Sequence, residues 1–331
     1  MLLAYIKNLI KLLATSIVGV CFWNYRLYKK YAGDQNNHGA LKLVSTGRLA
    51  IVIQGPNIFD DDFTIETIKL YRHNFPDAIL ILSTWSVSVD MMEALNKHDV
   101  HVVQNQRPAN PGISNINLQI ITSGAGVVAA REVGAQVVLK TRTDQRIYHP
   151  SLETYLFNIL KYYPISPDFP GQMKRLVGIS LGTFKYRLYG VSDMFLYGHI
   201  DDMVRYWDIP LDARIDSPEE RNNADDNTWR TFSTWRVCEV YLCTEFLKSI
   251  GRDITFTLAD SFQVFRDHFV VIDQAAIKLY WHKYTLNADR YAGLGFFDPE
   301  LSFNDWLVLY HSIDNMIIDE TILDQPISKA E

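Results

Sequence analysis

Four short apolar runs, each followed by polar or turn-forming residues, most constrain the fold of this chain. They occupy residues 49–53, 78–82, 100–103 and 136–140, and segments with helical spacing of apolar residues separate them at 64–75, 89–98 and 114–133. Runs this short and this continuously apolar are typical of strands that are buried on both faces. Their alternation with helices predicts an α/β fold, a doubly wound and mostly parallel sheet with helices on both faces.

The fourth run leads into a charged segment in which three cations surround one carboxylate. Lys140, Arg142 and Arg146 are the cations, and Asp144 is the carboxylate. Ligands of open α/β sheets bind beyond the carboxyl ends of the strands, and Arg and Lys are the usual partners of phosphate oxygens. The cluster therefore predicts a site for a phosphate-bearing ligand. A salt-bridged surface turn is the alternative, because structural ion pairs are common at strand ends.

The composition narrows the classes of function. The 331 residues are 48% hydrophobic and carry a formal charge of -6, which fits a large folded core and argues against a nucleic-acid partner. Three cysteines without metal-like spacing fit a reducing compartment and no disulfide framework. The turn after the first run, QGPN, has a single glycine, and no P-loop motif occurs. Dinucleotide-binding dehydrogenases and P-loop NTPases are therefore disfavoured.

The first 33 residues combine apolar and basic side chains, and no acidic residue precedes Asp34. Their longest charge-free run, residues 12–25, is shorter than the roughly 20 residues that a membrane-spanning helix needs. We expect residues 1–33 to form a helix in the membrane interface whose basic side chains reach anionic headgroups, with a helix packed on the domain as the alternative. Residues 34–47 have the composition of a linker, so the folded domain should begin near Arg48.

The pattern changes after Pro150. Apolar runs predict strands at 176–179 and 194–197, and helical spacing predicts helices at 152–163, 202–207 and 235–250. Residues 212–227 are highly charged and lack apolar periodicity, which predicts a long loop or a lid.

Several long blocks of residues occur in a fixed order: IVIQGP, FTIETIKLYRHNFPDAILILSTW, NLQIITSGAGVVAA and VLKTRTDQRIYHP, with SDMFLYG and CEVYL as weaker extensions. Together these blocks resemble the WavE lipopolysaccharide-synthesis family of glycosyltransferase-like proteins, most strongly over residues 48–150. The resemblance implies a fold of the GT-A type, in which a parallel sheet holds a nucleotide-sugar at the carboxyl ends of its first four strands. It further implies that residues 48–150 bind the nucleotide-sugar and that residues 151–331 form the acceptor-binding half of the same catalytic domain.

The resemblance also assigns expected roles to residues near the predicted strand ends. Gln54, Gly55 and Pro56 would shape the base and ribose end of the donor site. Two residues that follow the second strand would lie beside them, and the aromatic ring of one could stack on a base. Two polar residues of the third helix would either reach the site or be ordinary helix residues. In chain order these four residues are Thr84, Trp85, Asn117 and Gln119.

GT-A enzymes usually carry Asp-x-Asp after the fourth strand, where it holds a divalent cation on the diphosphate. Here the stretch reads RTD, with Arg142 in place of the first carboxylate and Asp144 in place of the second. Either Mn²⁺ or Mg²⁺ at Asp144, or direct binding of phosphate by Lys140, Arg142 and Arg146, could neutralise the departing diphosphate. We expect a divalent cation at Asp144. The two further candidate ligands, which are more often structural in such surroundings, are His268 and His282.

A general base for the acceptor hydroxyl is needed if the anomeric configuration inverts, and Asp193 and Glu239 are the candidates. Buried, hydrogen-bonded structural carboxylates are the alternative for both. Asp144 is expected to act in catalysis through the cation that it would hold. The leading hypothesis is a glycosyltransferase that moves a sugar from a nucleotide-sugar donor to a lipid-linked saccharide such as a lipopolysaccharide core, on the cytoplasmic face of the inner membrane. The alternative is a noncatalytic, membrane-associated component of a polysaccharide assembly complex. A sugar nucleotidyltransferase is disfavoured, because those enzymes usually carry a Gly-rich loop after the first strand.

Overall fold

A computed structural model describes residues 47–215, 228–282 and 300–327. The predicted interface helix at residues 1–33 lies outside these residues, as do nearly all of the predicted linker and residues 216–227 of the predicted loop.

Seven strands form one sheet in the described part of the chain. In spatial order they are β3 (Val100–Gln104), β2 (Ile79–Thr84), β1 (Leu49–Gln54), β4 (Val137–Arg142), β7 (Leu196–His199), β6 (Leu176–Ile179) and β8 (Phe269–Ile272). All of them run parallel to one another except β7, which is antiparallel to both of its neighbours. The strand order and directions confirm the predicted doubly wound, mostly parallel sheet.

The central strands are buried because helices cover the sheet. Every residue of β1 and β2 is buried, and β1 pairs in register with both neighbours, so that Ile51 lies opposite Leu80 on one side and Leu139 on the other. The helices that connect these strands are α1 (Phe63–Asn74), α2 (Val89–Asn96) and α3 (Ile116–Glu132). Full burial explains why these strands read as continuous apolar runs rather than as alternating patterns.

Helix α3 lies directly on β1 and β2. A Cβ atom at Gly126 would lie 2.5 Å from Cγ1 of Val52, so the small residues of this helix allow the backbone to approach the sheet. Residues Ile113–Glu132 also have the length and mean hydropathy, 1.2, of a membrane-spanning helix, but half of that apolar window is buried inside the domain. Its position on the sheet makes α3 a core helix.

The second half of the described chain is mostly helical. Its helices are α4 (Leu152–Tyr162), α5 (Ile200–Trp207), α6 (Trp229–Thr234), α7 (Cys238–Ser249), α8 (Leu258–His268) and α9 (Phe303–Ser312). The prediction of one helix over 235–250 is wrong at its start, because Arg236 has a left-handed backbone with φ of 52° and separates α6 from α7. The guanidinium of Arg236 donates to Thr244 and Glu245 of α7, which holds this break in place.

A small second sheet joins the two halves of the chain at the end of β4. Strand β5 (Gln145–Ile147) pairs antiparallel with β9 (Leu279–Trp281), and Gln145 lies opposite Trp281. This pairing brings a segment from near the carboxyl end of the described chain to the charged cluster that follows β4.

Candidate active site

A cavity of 420 Å³ opens at the carboxyl ends of β1 and β4. Its walls come from the turn after β1, from residues beyond β2 and β3, from the first turns of α3 and from the end of β4. The lining residues are Gln54, Gly55, Pro56, Ile58, Trp85, Arg107, Ser114, Asn115, Leu118, Gln119, Thr122, Arg142, Thr143 and Asp144.

The turn after β1 forms one wall because a glycine lets two strand ends come close together. Gly55 has φ of 125°, and a Cβ atom there would lie 2.7 Å from Oγ1 of Thr143. Gln54 is buried, and its side-chain oxygen accepts a hydrogen bond of 2.8 Å from Thr122 Oγ1 of α3. The predicted residues Gln54, Gly55 and Pro56 therefore all line the cavity, with Gln54 fixed to the helix behind it.

Another part of the lining combines an aromatic ring with a cation. Trp85 lines the cavity as the sequence predicts, and the guanidinium carbon of Arg107 lies 5.1 Å from the centre of its ring. Arg107 is exposed and makes no hydrogen bond or ion pair with the described residues. The sequence analysis did not select Arg107, although it follows β3, whose carboxyl end lies at the same edge of the sheet as those of β1 and β4.

Arg142 and Asp144 form a two-point ion pair on the cavity wall. Nε of Arg142 donates to Oδ1 of Asp144 at 2.9 Å, and Nη2 donates to Oδ2 at 3.0 Å. Trp281 of β9 donates a third hydrogen bond, from its Nε1 to Oδ2 at 3.0 Å. Burial alone would raise the pKa of Asp144, but the charge and hydrogen bonds of Arg142 hold this pKa below its usual value. The same partner keeps the pKa of Arg142 above its ordinary value despite burial.

This donor set does not fit a protein-held divalent cation at Asp144. Both carboxylate oxygens already accept hydrogen bonds from Arg142, and a divalent ion bound there would lie against that guanidinium. The described residues contain no group of three or more His, Cys, Asp or Glu side chains that could hold a metal ion. The predicted role of Asp144 as a metal ligand is therefore not supported by its contacts.

Lys140 does not line the cavity, although the sequence places it among the phosphate-binding cations. Its side chain is completely buried, Nζ donates to the backbone oxygen of Asp193, and Nζ lies 4.9 Å from the ring centre of Trp207. Burial lowers the pKa of Lys140 to about 8. Lys140 is two residues short of the end of β4, where Asp193 and Trp207 surround its ammonium group inside the domain.

Arg146 is also directed away from the cavity. Its guanidinium donates to Thr67 Oγ1 at 2.9 Å and to the backbone oxygen of Phe63 at 3.0 Å. The guanidinium carbon also lies 4.2 Å from the ring centre of Phe63. Arg146 therefore ties β5 to helix α1, and of the three predicted cations only Arg142 lines the cavity.

Of the three other residues predicted in the donor site, one lines the cavity and two do not. Gln119 lines the cavity, and its Nε2 donates to Sγ of Cys238 at 3.3 Å. Thr84 is buried at the end of β2 and does not line the cavity. Asn117 does not line it either, because its amide donates to the backbone oxygens of Asn110 and Asp212 and accepts from the backbone nitrogen of Asp212. Asn117 thus holds the loop around Asp212 against the start of α3.

The two predicted general bases lie outside the cavity lining, in a buried cluster connected to it through Gln119 and Cys238. Sγ of Cys238 donates to Oδ2 of Asp193 at 3.5 Å. Glu239 is 21% exposed and pairs with Nη1 of Arg187 at 3.4 Å. Burial raises the pKa of Glu239, and the nearby charge of Asp193 raises it further against the opposing effect of Arg187. Among the lining residues, Asp144 is the one carboxylate.

The two candidate histidines have structural contacts. His268 is completely buried with Nδ1 2.8 Å from Oε1 of Gln172, and burial lowers the pKa of this imidazole to about 3. The ring of His282 stacks on Phe63 with ring centres 4.5 Å apart. The backbone nitrogen of His282, rather than its ring, contacts Asp144, donating to the backbone oxygen at 2.9 Å.

Several solved structures are similar to this chain at low identity. Glucosyl-3-phosphoglycerate synthase from Mycobacterium tuberculosis, in complex with Mn²⁺, UDP and phosphoglyceric acid, is 11% identical with a TM-score of 0.33 over 64% of this chain and 81% of that chain. A mannosyltransferase from Pyrobaculum calidifontis, in complex with GDP-Man and Mn²⁺, is 11% identical with a TM-score of 0.36 over 73% of this chain and 76% of that chain. A cytidylyltransferase from Leptospira borgpetersenii is 11% identical with a TM-score of 0.35 over 82% of this chain and 99% of that chain. At these values the similarities carry no information about the activity, substrate or metal of this chain.

Family assignment rests on a different comparison. No curated protein matches this chain. The family model described as WavE lipopolysaccharide synthesis matches residues 49–313, a range that includes every strand of both described sheets and every residue that lines the cavity. The chain therefore belongs to the WavE lipopolysaccharide synthesis family, as the resemblance implied.

Proposed function

We propose that this chain is a glycosyltransferase that binds a nucleotide-sugar donor in the cavity at the carboxyl ends of β1 and β4. One observation carries the proposal: the cavity places the guanidiniums of Arg107 and Arg142 and the ring of Trp85 around one space of 420 Å³. Cavities of about 300–1,000 Å³ with a few convergent polar groups are the usual sites for small ligands. Membership of a lipopolysaccharide synthesis family supports saccharide transfer as the reaction.

Each part of a nucleotide-sugar has a matching group in this cavity. The two guanidiniums suit the phosphate oxygens, since Arg presents a planar fork of N–H donors to them. The ring of Trp85 offers a face for the base, and the turn at Gly55 lets the ligand approach the backbone closely. The sugar then lies toward Gln119 and the acceptor-binding half of the domain.

The acceptor in this proposal is a lipid-linked saccharide, such as a lipopolysaccharide core. The family description supports an acceptor of this class. The basic and apolar residues 1–33 support a position on the cytoplasmic face of the inner membrane, where such an acceptor is made accessible.

A donor panel tests this function. Purified full-length protein is incubated with UDP-, GDP-, CMP- and ADP-sugars, and release of the free nucleotide is followed with and without lipopolysaccharide core acceptors. We expect one donor class to be hydrolysed slowly and to be consumed faster with an acceptor. Trp85→Ala should raise the KM for that donor at least about fivefold, because stacking on a base contributes about 1–3 kcal/mol.

The matched control is Arg131→Ala, at the exposed carboxyl end of α3, about 14 Å along the helix from Thr122, the last residue of α3 that lines the cavity. This variant should behave like the unsubstituted protein. A folded protein that neither binds nor turns over any donor of the panel would contradict the proposed function.

A noncatalytic saccharide-assembly component is the second candidate, and one observation favours it. The carboxylate among the lining residues, Asp144, is bound by Arg142, and Asp193 and Glu239 do not line the cavity. Such a component would bind a sugar nucleotide without consuming it. Binding in calorimetry, combined with no donor turnover in the presence of any acceptor, would identify this second candidate.

A further inference from the structure

We propose that the cavity binds the diphosphate of its nucleotide directly through Arg142 and Arg107, without a divalent cation, and that Asp144 positions the guanidinium of Arg142. This inference rests on the proposed function, since it concerns how the same cavity holds the same donor. It replaces the divalent cation that the sequence predicts at Asp144.

The contacts of Asp144 show a carboxylate whose two oxygens are both occupied. Oδ1 accepts from Nε of Arg142, and Oδ2 accepts from Nη2 of Arg142 and from Nε1 of Trp281, all at 2.9–3.0 Å. The side chain of Asp144 is only 14% exposed, so water offers little compensation for any of these bonds. A carboxylate has about four lone-pair sites, so a metal ion could bind Asp144 only beside the guanidinium of Arg142, which would repel it at short range.

Arg142 is held on two sides and keeps donors for a ligand. A guanidinium has five N–H donors, and the pair with Asp144 uses one on Nε and one on Nη2. The guanidinium carbon also lies 5.9 Å from the ring centre of Trp281, so the ring and the carboxylate together fix its plane. The remaining donors make no hydrogen bond with the described residues. A guanidinium fixed in this way loses little conformational entropy when it binds phosphate.

Arg107, which follows β3, supplies the second charge of the cavity lining. It lies over Trp85 at 5.1 Å and makes no ion pair with the described residues. With Arg107, Arg142 and Asp144 as the charged lining residues, the cavity carries a net charge of +1, which favours an anion.

The amino end of α3 adds to this positive potential. Asn115, the residue that precedes α3, lines the cavity and makes no side-chain capping bond. The dipole of a helix attracts anions to its amino end, while the first two N–H groups of α3, those of Ile116 and Asn117, donate to the backbone oxygens of Ile113 and Pro111. Two guanidiniums and a helix end therefore provide the neutralisation that a metal ion would otherwise supply.

Calorimetric titration of the full-length protein with UDP, GDP, CDP and ADP tests this inference. Each titration is made once in excess EDTA and once in Mn²⁺. We expect the nucleotide that binds best to have a Kd in EDTA within threefold of its Kd in Mn²⁺. Arg142→Lys should raise that Kd in EDTA at least tenfold, because Lys cannot reproduce the planar fork of a guanidinium.

Two further variants keep the test decisive. Arg107→Gln removes an exposed charge without breaking a contact in the core, so its expected tenfold loss of affinity cannot come from unfolding. Arg131→Ala removes a charge of the same kind at the far end of α3 and should leave the Kd unchanged. Thermal unfolding of each variant confirms that the protein is folded during the titration.

The outcomes separate the inference from the function on which it rests. Binding that requires Mn²⁺ and is lost in EDTA would overturn direct binding by arginine and leave the proposed donor site standing. Unchanged affinity in both Arg142→Lys and Arg107→Gln would also overturn it. No binding of any nucleotide, with or without Mn²⁺, would contradict the proposed function itself.

Discussion

The pair formed by Arg142 and Asp144 gives a prediction about stability that separates a structural carboxylate from a metal ligand. In Asp144→Asn the amide NH₂ group replaces an oxygen that accepts hydrogen bonds. Whichever way the amide is turned, an N–H donor of Arg142 or Trp281 then faces another donor. If Asp144 served only to bind a cation, Asp144→Asn would not lower the stability of the protein in the absence of metal.

The expected loss of stability follows from the exposure of the pair. Arg142 and Asp144 are 24% and 14% exposed, which places them between surface pairs, worth about 0–1 kcal/mol, and buried pairs, where removal of one partner costs about 3–5 kcal/mol. We expect Asp144→Asn to lower the free energy of unfolding by about 3 kcal/mol and Arg142→Met by about 2 kcal/mol. The double variant should lose about 2 kcal/mol less than the sum, because the second substitution removes a group that the first has already left unpaired.

Urea unfolding of the four proteins at 25 °C, followed by tryptophan fluorescence and by circular dichroism, measures this coupling energy. The pair of Arg230 and Asp324 is a matched control, because it has the same two-point geometry but is exposed to solvent. Its double-mutant cycle should show no resolvable coupling. A coupling energy below about 0.5 kcal/mol at Arg142 and Asp144 would refute the reasoning, since such a weak pair leaves Asp144 free for a cation.

Three further predictions concern the core, the pH dependence and the membrane. In urea unfolding, the Gly126→Ala protein should be about 2 kcal/mol less stable than the Gly124→Ala protein. Both substitutions raise helix propensity, but only a Cβ atom at position 126 would collide with Val52, at 2.5 Å. Equal stabilities would contradict the close packing of α3 on the sheet. Burial lowers the pKa of His268 to about 3, so between pH 6.5 and pH 3 this imidazole binds a proton in the unfolded chain but not in the folded chain. The free energy of unfolding should therefore fall as the pH is lowered below 6.5, by at most about 1.4 kcal/mol per pH unit. His268→Gln should reduce that slope between pH 6.5 and pH 5, and an unchanged slope would show that this imidazole is protonated in the folded protein. Full-length protein should float with anionic vesicles at low salt and be released at high salt, whereas association that resists salt and needs detergent would indicate a spanning segment at residues 1–33.

The first half of the sheet could be predicted from the sequence because strands that are buried on both faces consist of continuous runs of apolar residues. The strands β1, β2 and β4 are continuous apolar runs, and the turn residues after them line the cavity. Trp85 and Arg142 were found in this way, since each comes at or just after the end of a strand. Arg107 would have been found by the same rule applied to the polar segment after β3.

The rest of the site depends on contacts that local patterns do not encode. Lys140 and Arg142 are two positions apart on one strand, yet only the end of β4 reaches the cavity, and the ammonium group of Lys140 is buried against Asp193 and Trp207. Trp281 donates to Asp144 across 137 positions of the chain, through a pairing of two strands of three residues each. A strand of three residues is too short to show a periodic pattern of apolar residues, so no local pattern predicts Trp281 beside Asp144.

A crystal structure of the protein with the sugar nucleotide that it binds most tightly, grown in EDTA, tests the central claim most directly. We expect the diphosphate within hydrogen-bond distance of Arg142 and Arg107, the base against the ring of Trp85, and the pair of Arg142 and Asp144 intact. A ligand bound elsewhere would contradict the assignment of this cavity as the donor site. A diphosphate bound in the cavity but contacting neither guanidinium would contradict the proposed way in which the cavity recognises its donor.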